Sequence, residues 1–295
     1  MIVSLVLAGC RITVEETSVT KFAVFTTLVL LLSLVPGIGK SHDTVTHYLA
    51  NEGVMVVHDD TKIVFDPLFR NSYGQYQLLP DAMRAALFAG EAPFDGIDAV
   101  FISHSHEDHF SAEDMLHLLR QQSSIRLYAP TQAVDDLRVV SNDADKDIFD
   151  RVVAVALNYQ DPPITLNMAG LLIEAVRIPH SGWPTARLDV ENISWRITLD
   201  DVTTVLHLGD ADTKDVHFAR DAEYWQKSPP QLAMPPYWYF SSKNGSAVLA
   251  ERIKPLHAIG IHVPAQMPAE AAERPVPFDH VDLFTTPGET RQISH

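Results

Sequence analysis

The segment Ser103-His104-Ser105-His106-Glu107-Asp108-His109-Phe110 places four potential metal ligands within six residues. It directly follows the apolar run 99–102, which is typical of a strand buried on both faces. His104 and His106 are two residues apart, so in an extended segment both rings point the same way and can bind one ion. Asp108 and His109 follow where the chain turns towards a helix, and they can reach a second ion. Adjacent buried polar side chains would each need a partner, so packing alone does not explain this cluster.

Three further candidate ligands come at the ends of predicted strands: His180, Asp210 and His262. Gly209 permits a sharp turn just before Asp210. His257 is an alternative to His262, because it begins the same apolar run. We prefer His262, since the sequence His-Val-Pro leaves the strand as a ligand-bearing loop would.

The rest of the chain alternates predicted strands and helices. Apolar and β-branched runs predict two hairpins, one joining 53–57 to 62–65 and the other joining 193–199 to 202–208. Two hairpin-rich halves, each followed by helices, predict an α+β fold for residues 42–295, with two mixed β-sheets packed face to face and helices outside. The other predicted strands cover 99–102, 125–128, 152–157, 171–178 and 258–263, and the predicted helices follow the capping box at 111–114 and cover parts of 131–138, 213–226 and 244–253.

The composition limits the possible functions. With 38 acidic and 22 basic residues, the formal net charge is −16, which repels a phosphate backbone and argues against nucleic acid as a partner. The single cysteine, Cys10, excludes an intrachain disulfide and a cysteine-based metal site. Histidine is abundant, with 14 copies, so their placement carries the functional argument.

Residues 1–41 have the features of an export segment. Lys21 precedes the apolar run 22–35, which is shorter than the ~20 residues of a membrane span, and small residues for a cleavage site follow at 37–41. We predict a signal peptide and a location in the bacterial periplasm. A buried core helix over 22–35 is the alternative.

The start of this segment is unusual for a signal peptide, because Glu15 and Glu16 stand where basic residues belong. We therefore hypothesise that translation starts near Val19 and that residues 1–18 are a mis-assigned start. The alternative is a lipid anchor on Cys10, since Leu7-Ala8-Gly9-Cys10 resembles a lipobox. Membrane contact is expected only through this segment, if it is uncleaved or lipidated.

The motif His104-x-His106-x-Asp108-His109 resembles the defining motif of the metallo-β-lactamase fold superfamily. The resemblance continues in order through His180, Gly209-Asp210 and His262, and upstream through the segment 59–67, which ends in Asp66-Pro67. It covers about residues 46–290, and the compact subgroup of lactonases and phospholipase-D-like enzymes is the most similar. It implies a four-layer αββα sandwich with the site at one edge, between the sheets.

The resemblance also implies a ligand set and a chemistry. Mixed imidazole and carboxylate ligands favour two Zn2+ ions, with Mn2+ or Fe as alternatives. Two such ions about 3.5–4 Å apart would generate a bridging hydroxide at neutral pH and polarise the scissile bond. In this assignment His104, His106 and His180 hold the first ion, Asp108, His109 and His262 hold the second, and Asp210 bridges both.

The resulting functional prediction is a binuclear hydrolase that cleaves an ester, lactone or phosphodiester bond in a small molecule or lipid. Asp108, His106 and Asp210 are the candidate catalytic residues, and the oligomeric state stays open. An iron-dependent oxidoreductase of the dioxygenase type is the alternative.

Aromatic residues near the candidate ligands are predicted to line the substrate pocket. Trp183 closely follows His180, and Tyr237, Trp238 and Tyr239 form an aromatic run where a loop is expected, with core packing as the alternative. The remaining polar candidates are interpreted as structural or supporting (His207, Asp66) or as surface residues (Glu107, His42, His47, His217, His280, His295).

Overall fold

The computed structural model describes residues 5–7, 10–12 and 44–294. The chain divides into two units, residues 1–41 and 42–295. In the first unit, β1 (Leu5–Leu7) and β2 (Cys10–Ile12) pair in antiparallel fashion. The apolar run 22–35, the predicted cleavage site, His42 and His295 lie outside the described residues, so the export segment stays a prediction. Within the described ranges, no helix combines the length and the hydropathy needed to span a membrane.

The first sheet of the second unit contains the strand that leads into the histidine motif. The strands of this sheet within 44–65 are antiparallel, whereas its four strands within 61–155 run parallel to one another. The parallel half explains the continuous apolar run before the motif, because the strand Ala99–Phe101 is buried on both faces. The strands in chain order are β3 (Thr44–Ala50), β4 (Gly53–His58), β5 (Thr61–Phe65), β6 (Ala99–Phe101), β7 (Arg126–Pro130) and β8 (Val152–Val155).

The second sheet contains the strands that lead to His180 and Asp210. It is antiparallel at one side and parallel at the other. Its strands are β9 (Ile164–Met168), β10 (Leu171–Arg177), β11 (Ile193–Leu199), β12 (Thr203–His207), β13 (Leu232–Met234) and β14 (His257–Ala258). The last strand, β15 (Thr290–Ile293), returns to the first sheet and pairs with β3.

Helices cover the outer face of each sheet. The first three pack on the first sheet, where Leu118 and Leu137 contribute to the core, and the later ones pack on the second sheet through residues such as Phe218 and Trp225. The helices are α1 (Asp81–Ala89), α2 (Ala112–Gln121), α3 (Thr131–Val140), α4 (Asp215–Ala219), α5 (Ala222–Gln226), α6 (Trp238–Ser241) and α7 (Lys243–Ala247).

A third apolar core lies between the two sheets and includes Phe101 and Trp195, both fully buried. Together the three cores separate four layers, so the predicted αββα sandwich is confirmed.

Helix was predicted for parts of 213–226, and the structure has two short helices there, α4 and α5, separated at Arg220 and Asp221. Another predicted element differs from the structure. The strand predicted over 258–263 is reduced to the two residues of β14, followed by isolated bridges at Gly260 and Ile261. It cannot continue, because the backbone of His262 has a φ of +57°, far from the extended region.

Candidate metal centre

The end of β6 is fixed from both sheets. The Trp195 indole Nε1 of β11 donates a hydrogen bond of 2.8 Å to the carbonyl oxygen of Ile102. The backbone N–H of Ser103 donates to Asp66 Oδ1 at 2.7 Å, and the Ser103 hydroxyl donates to Asp66 Oδ2. Asp66 therefore holds the first residue of the motif, which agrees with its predicted supporting role.

The first group of candidate ligands is His104, His106 and His180. Their ligand atoms lie within 4.8 Å of one another, and His104 Nε2 is 3.1 Å from His106 Nδ1. His180 is brought to this group by the second sheet, since it forms a bridge to Ala211 and the next residue donates its N–H to the Asp210 carbonyl at 2.7 Å.

The second group is Asp108, His109 and His262, whose ligand atoms also lie within 4.8 Å of one another. His262 Nε2 is 3.4 Å from Asp108 Oδ2, and His109 Nε2 is 3.8 Å from the same oxygen. Asn51 connects two members of this group. Its side-chain amide donates a hydrogen bond to the backbone carbonyl of Asp108, and its backbone carbonyl accepts one from the N–H of His262, each at 2.9 Å.

Asp210 lies between the two groups. Its Oδ2 is 3.0 Å from His180 Nε2, and its Oδ1 is 3.3 Å from His262 Nε2. Asn192 holds the Asp210 backbone in place, because its side-chain Oδ1 accepts a hydrogen bond of 2.9 Å from the Asp210 N–H. The structure thus brings all seven predicted ligands together, and their assignment as ligands belongs to the proposal below.

The arrangement of the donor atoms suits bound cations better than hydrogen bonds among the donors themselves. His109 Nε2, His180 Nε2, both ring nitrogens of His262 and Asp210 Oδ1 are buried without a hydrogen bond of acceptable geometry. Donors about 2.0–2.1 Å from a tetrahedral zinc lie about 3.3–3.4 Å apart, which is close to the spacings around Asp210. Buried polar atoms without partners are rare in proteins, so this arrangement favours ions as the missing partners.

The local environment shifts the pKa values of His104, His106 and Asp210 towards the protonation states that bind a metal ion. Burial, with smaller repulsion from neighbouring histidines, lowers the pKa of His104 well below its usual value, and the pKa of His106 is lowered for the same reasons. Burial opposes ionisation of Asp210, but His262, His109 and His180 together hold its pKa well below its usual value. His104 and His106 as neutral imidazoles and Asp210 as a carboxylate are in the forms that bind metal. His109 differs, because the carboxylates of Glu52 and Asp210 outweigh burial and raise the pKa of His109 to about 10, so a metal ion there would have to displace a proton.

Sequence reasoning missed Glu52, a fully buried carboxylate in the turn between β3 and β4. Its Oε2 lies 3.5 Å from His109 Nδ1 and 3.7 Å from His207 Nε2, and neither carboxylate oxygen has a hydrogen-bond partner. An oxygen of Glu52 also lies within 4.8 Å of ligand atoms of Asp210 and His262. Burial raises the pKa of Glu52 well above its usual value. An acidic residue in a turn is ordinarily exposed, so the sequence gives no signal for this burial.

A cavity of about 680 Å³ opens onto the candidate centre. Of the predicted aromatic residues, Trp238 lines it, with its ring 5.2 Å from that of His262. Tyr76, Tyr73 and Arg187 also line it and were not predicted.

Three predicted substrate-binding residues lie elsewhere, and we correct those assignments. Tyr239 is fully buried in the core of the second sheet, and its hydroxyl donates to the carbonyls of Ala211 and Asp212. The Tyr237 ring packs against Phe278, 5.5 Å away. Trp183 packs edge-on against His217, with ring centroids 4.8 Å apart.

The remaining histidines separate into buried and exposed residues. The surface prediction is wrong for His217, which is fully buried with Nε2 3.4 Å from Asp212 Oδ1, and His47 is half-buried. His207 is buried and donates from Nε2 to the Glu52 carbonyl at 3.0 Å, in keeping with a structural role. His257, the alternative to His262, is exposed, and so are His280 and Glu107.

Comparisons with known proteins agree with this architecture. In structure, the chain is similar to Igni18, a metallo hydrolase from the archaeon Ignicoccus hospitalis, at 17% identity and a TM-score of 0.55 over 86% of this chain and 99% of that one. It is also similar to an isothiocyanate hydrolase from Delia radicum gut bacteria, at 14% identity and a TM-score of 0.55 over 85% of this chain and all of the other.

Sequence comparison finds a shorter match as well. The chain is 26% identical over 124 residues to an octanoyltransferase of Porphyromonas gingivalis, which is 42% of this chain but only 25% of that protein. A family model described as the beta-lactamase superfamily domain matches residues 61–263, which is more than half of the chain and includes all seven candidate ligands. The chain belongs to the metallo-β-lactamase superfamily.

Proposed function

We propose that the protein is a binuclear metal-dependent hydrolase of small-molecule or lipid esters, lactones or phosphodiesters. The observation that carries the proposal is the position of Asp210, whose two oxygens face His180 and His262 from opposite groups. Three imidazoles surround one position, and the other combines His109, His262 and Asp108. Both sets suit Zn2+, and the second also suits Mn2+ or iron.

The chain's own residues have separate tasks in this proposal. His104, His106 and His180 would hold one ion, Asp108, His109 and His262 the other, and Asp210 would be shared. Bound divalent cations supply Lewis-acid catalysis and activate water for attack. The cavity would admit the substrate to both positions, because ligands of each group line it: His106 and His180 of the first, Asp108 and His262 of the second, and Asp210.

Asp108 is the best-placed residue to handle a proton. It lines the cavity, and its side chain is almost completely buried. Burial opposes its ionisation, but His262 and His109 lower the pKa of Asp108 below its usual value. Asp108 therefore enters the reaction as a carboxylate, which can take a proton from water and then return it to the leaving group.

The experiment combines metal analysis with substrate hydrolysis. The purified protein is expected to contain two zinc ions per chain and to hydrolyse an aryl ester, a lactone or an aryl phosphodiester. His106→Ala and Asp210→Ala should lose metal and more activity than the roughly 10–100-fold that is typical for residues that merely support a ligand. His257→Ala is the matched control, because His257 is exposed and should keep both properties.

Two outcomes would overturn the proposal. One is full activity in the His106 or Asp210 variant without bound metal. The other is a protein that holds iron, consumes oxygen with a substrate and hydrolyses none of the three substrate classes, which would favour the dioxygenase alternative.

We further propose that residues 1–41 direct export to the periplasm. The support is the order of Lys21, the apolar run 22–35 and the small residues that follow. Amino-terminal sequencing of protein from the periplasmic fraction should find a start near residue 42. An unprocessed chain starting at Met1 in the cytoplasmic fraction would contradict the export and start-site hypotheses.

A further inference from the structure

The loop that follows His180 carries a guanidinium to the cavity wall. Arg187 Nη1 donates a hydrogen bond of 3.1 Å to the carbonyl oxygen of Ser181. The same carbonyl accepts a bond of 2.9 Å from His180 Nδ1. Arg187, an exposed residue, is therefore bonded to the same backbone carbonyl as the ring of a candidate ligand.

The backbone adopts uncommon conformations at Arg187 and at the nearby Gly182. Arg187 has a φ of +56°, a left-handed conformation that costs a non-glycine residue about 1–2 kcal/mol. Gly182 has a φ of +105°, and its backbone lies directly beneath the guanidinium, since a Cβ built there would lie 3.7 Å from Arg187 Nη1. A side chain held at a strained position beside a candidate active site points to a role for that side chain.

Arg187 also differs in charge from the rest of the cavity. Among the described residues that line the cavity, it is the only arginine or lysine, while Asp108 and Asp210 are acidic. One guanidinium can pair with one negative charge, and four of its five N–H donors remain after the bond to Ser181. Two bound divalent cations would compensate the charges of Asp108 and Asp210, so the guanidinium of Arg187 is the cationic group that the lining side chains themselves offer to an anion.

Aromatic side chains line the same cavity beside His262. Tyr76 stands edge-on to His262 with ring centroids 4.1 Å apart, and Trp238 flanks the same ring. Tyr73 is 53% exposed at the mouth.

We infer that Arg187 forms an anion subsite for a substrate with one carboxylate, separated from the scissile bond by an apolar or aromatic spacer. The carboxylate would pair with the guanidinium at the mouth, and the spacer would lie against Tyr76 and Trp238. This inference rests on the proposed function for the identity of the scissile bond, but anion binding itself can be measured without catalysis.

The first test is binding, measured by calorimetry on the metal-loaded protein. The probes are 3-phenylpropanoate and its neutral amide. Arg187→Ala should weaken binding of the carboxylate roughly 10–100-fold, as expected for a hydrogen bond to a charged group, and should leave the amide within about threefold. Arg187→Lys should recover part of the affinity. Arg126→Ala removes another exposed arginine and should change nothing, which controls for net charge.

The second test uses aryl esters whose acyl chains end in a carboxylate or in its methyl ester. Arg187→Ala should raise KM for the acid roughly 10–100-fold and leave kcat and the methyl ester nearly unchanged. Metal content should equal that of the wild type.

Two results would overturn the subsite. They are undetectable carboxylate binding in the wild type and equal losses for carboxylate and amide in Arg187→Ala. If no ester is hydrolysed, the proposed function fails, while the binding test still decides the fate of the subsite.

Discussion

Replacing Gly209 by alanine should disrupt the turn that delivers Asp210 to the centre. Gly209 has a φ of +56°, and an added Cβ would lie 2.4 Å from Asn192 Oδ1 and 2.7 Å from the Ser103 Cβ. A left-handed alanine costs about 1–2 kcal/mol. The contacts with Asn192 and Ser103 cost a further ~1–3 kcal/mol, which is typical of overpacking in a rigid core.

The expected loss in the free energy of unfolding is therefore about 2–5 kcal/mol. The displaced Asn192 oxygen is also the acceptor for the Asp210 N–H, so zinc affinity should fall together with stability. Urea denaturation of the metal-free protein separates the backbone effect from the stabilisation that bound metal provides. Equilibrium dialysis against zinc then measures the effect on the centre.

Gly96→Ala is the matched control. Gly96 has a φ of +65°, and a Cβ there would have no atom within 4 Å, so this variant carries only the conformational cost of about 1–2 kcal/mol. The reasoning is refuted if the two variants lose the same stability within about 0.5 kcal/mol, the usual error of such comparisons. It is also refuted if Gly209→Ala binds zinc as tightly as the wild type.

Three further predictions concern the surroundings of the centre. Glu52→Gln should lower zinc affinity roughly 10–100-fold in a chelator competition without unfolding the protein, and an unchanged affinity would remove Glu52 from the metal argument. Trp195→Phe should cost about 1–3 kcal/mol more in urea denaturation than Trp225→Phe, because the Trp195 indole donates to a backbone carbonyl whereas the equally buried Trp225 indole has no partner. Hydrogen bonding to Arg120 lowers the pKa of Asp145 from 3.8 to about 2, so its stabilising effect is complete above pH 3.8 and lost as the pH falls towards 2. Arg120→Ala should flatten this pH dependence of the unfolding midpoint, and an unaltered curve would contradict the pairing.

The motif residues could be predicted because their geometry is local. The spacing of His104 and His106 on an extended segment fixes their common direction, and the apolar run before them identifies a buried strand. The N-cap of α2 was equally local, since the Ser111 hydroxyl accepts the N–H of Asp114. His180 and Asp210 followed from the position of each residue at the end of an apolar strand.

Residues whose role depends on distant contacts could not be predicted. Glu52 and Arg187 lie in turns, where no hydrophobic period reports which way a side chain points. Trp238 and Tyr239 are neighbours in a single helical turn, yet one faces the cavity and the other the core. Only the packing of the second sheet distinguishes them, because both residues have the same apolar character.

Within the candidate centre, the buried polar atoms without hydrogen-bond partners are concentrated at one of the two proposed metal positions. Asp66 accepts three bonds, from the Ser103 N–H and hydroxyl and from His109 Nδ1, so its charge is compensated within the protein. Glu52, Asp210 Oδ1 and both nitrogens of His262 have no such bonds. Two carboxyl groups without compensating hydrogen bonds, those of Glu52 and Asp210, thus face the position of the proposed second ion, whereas the first position is surrounded by three imidazoles. Burial raises the pKa of Glu52, so a cation is what would let this group ionise. A buried carboxylate is expensive without a partner, so the second position should attract hard divalent cations more strongly than its nitrogen content alone implies. The two positions then differ in preference for reasons that lie in the β3–β4 turn, outside the histidine motif itself.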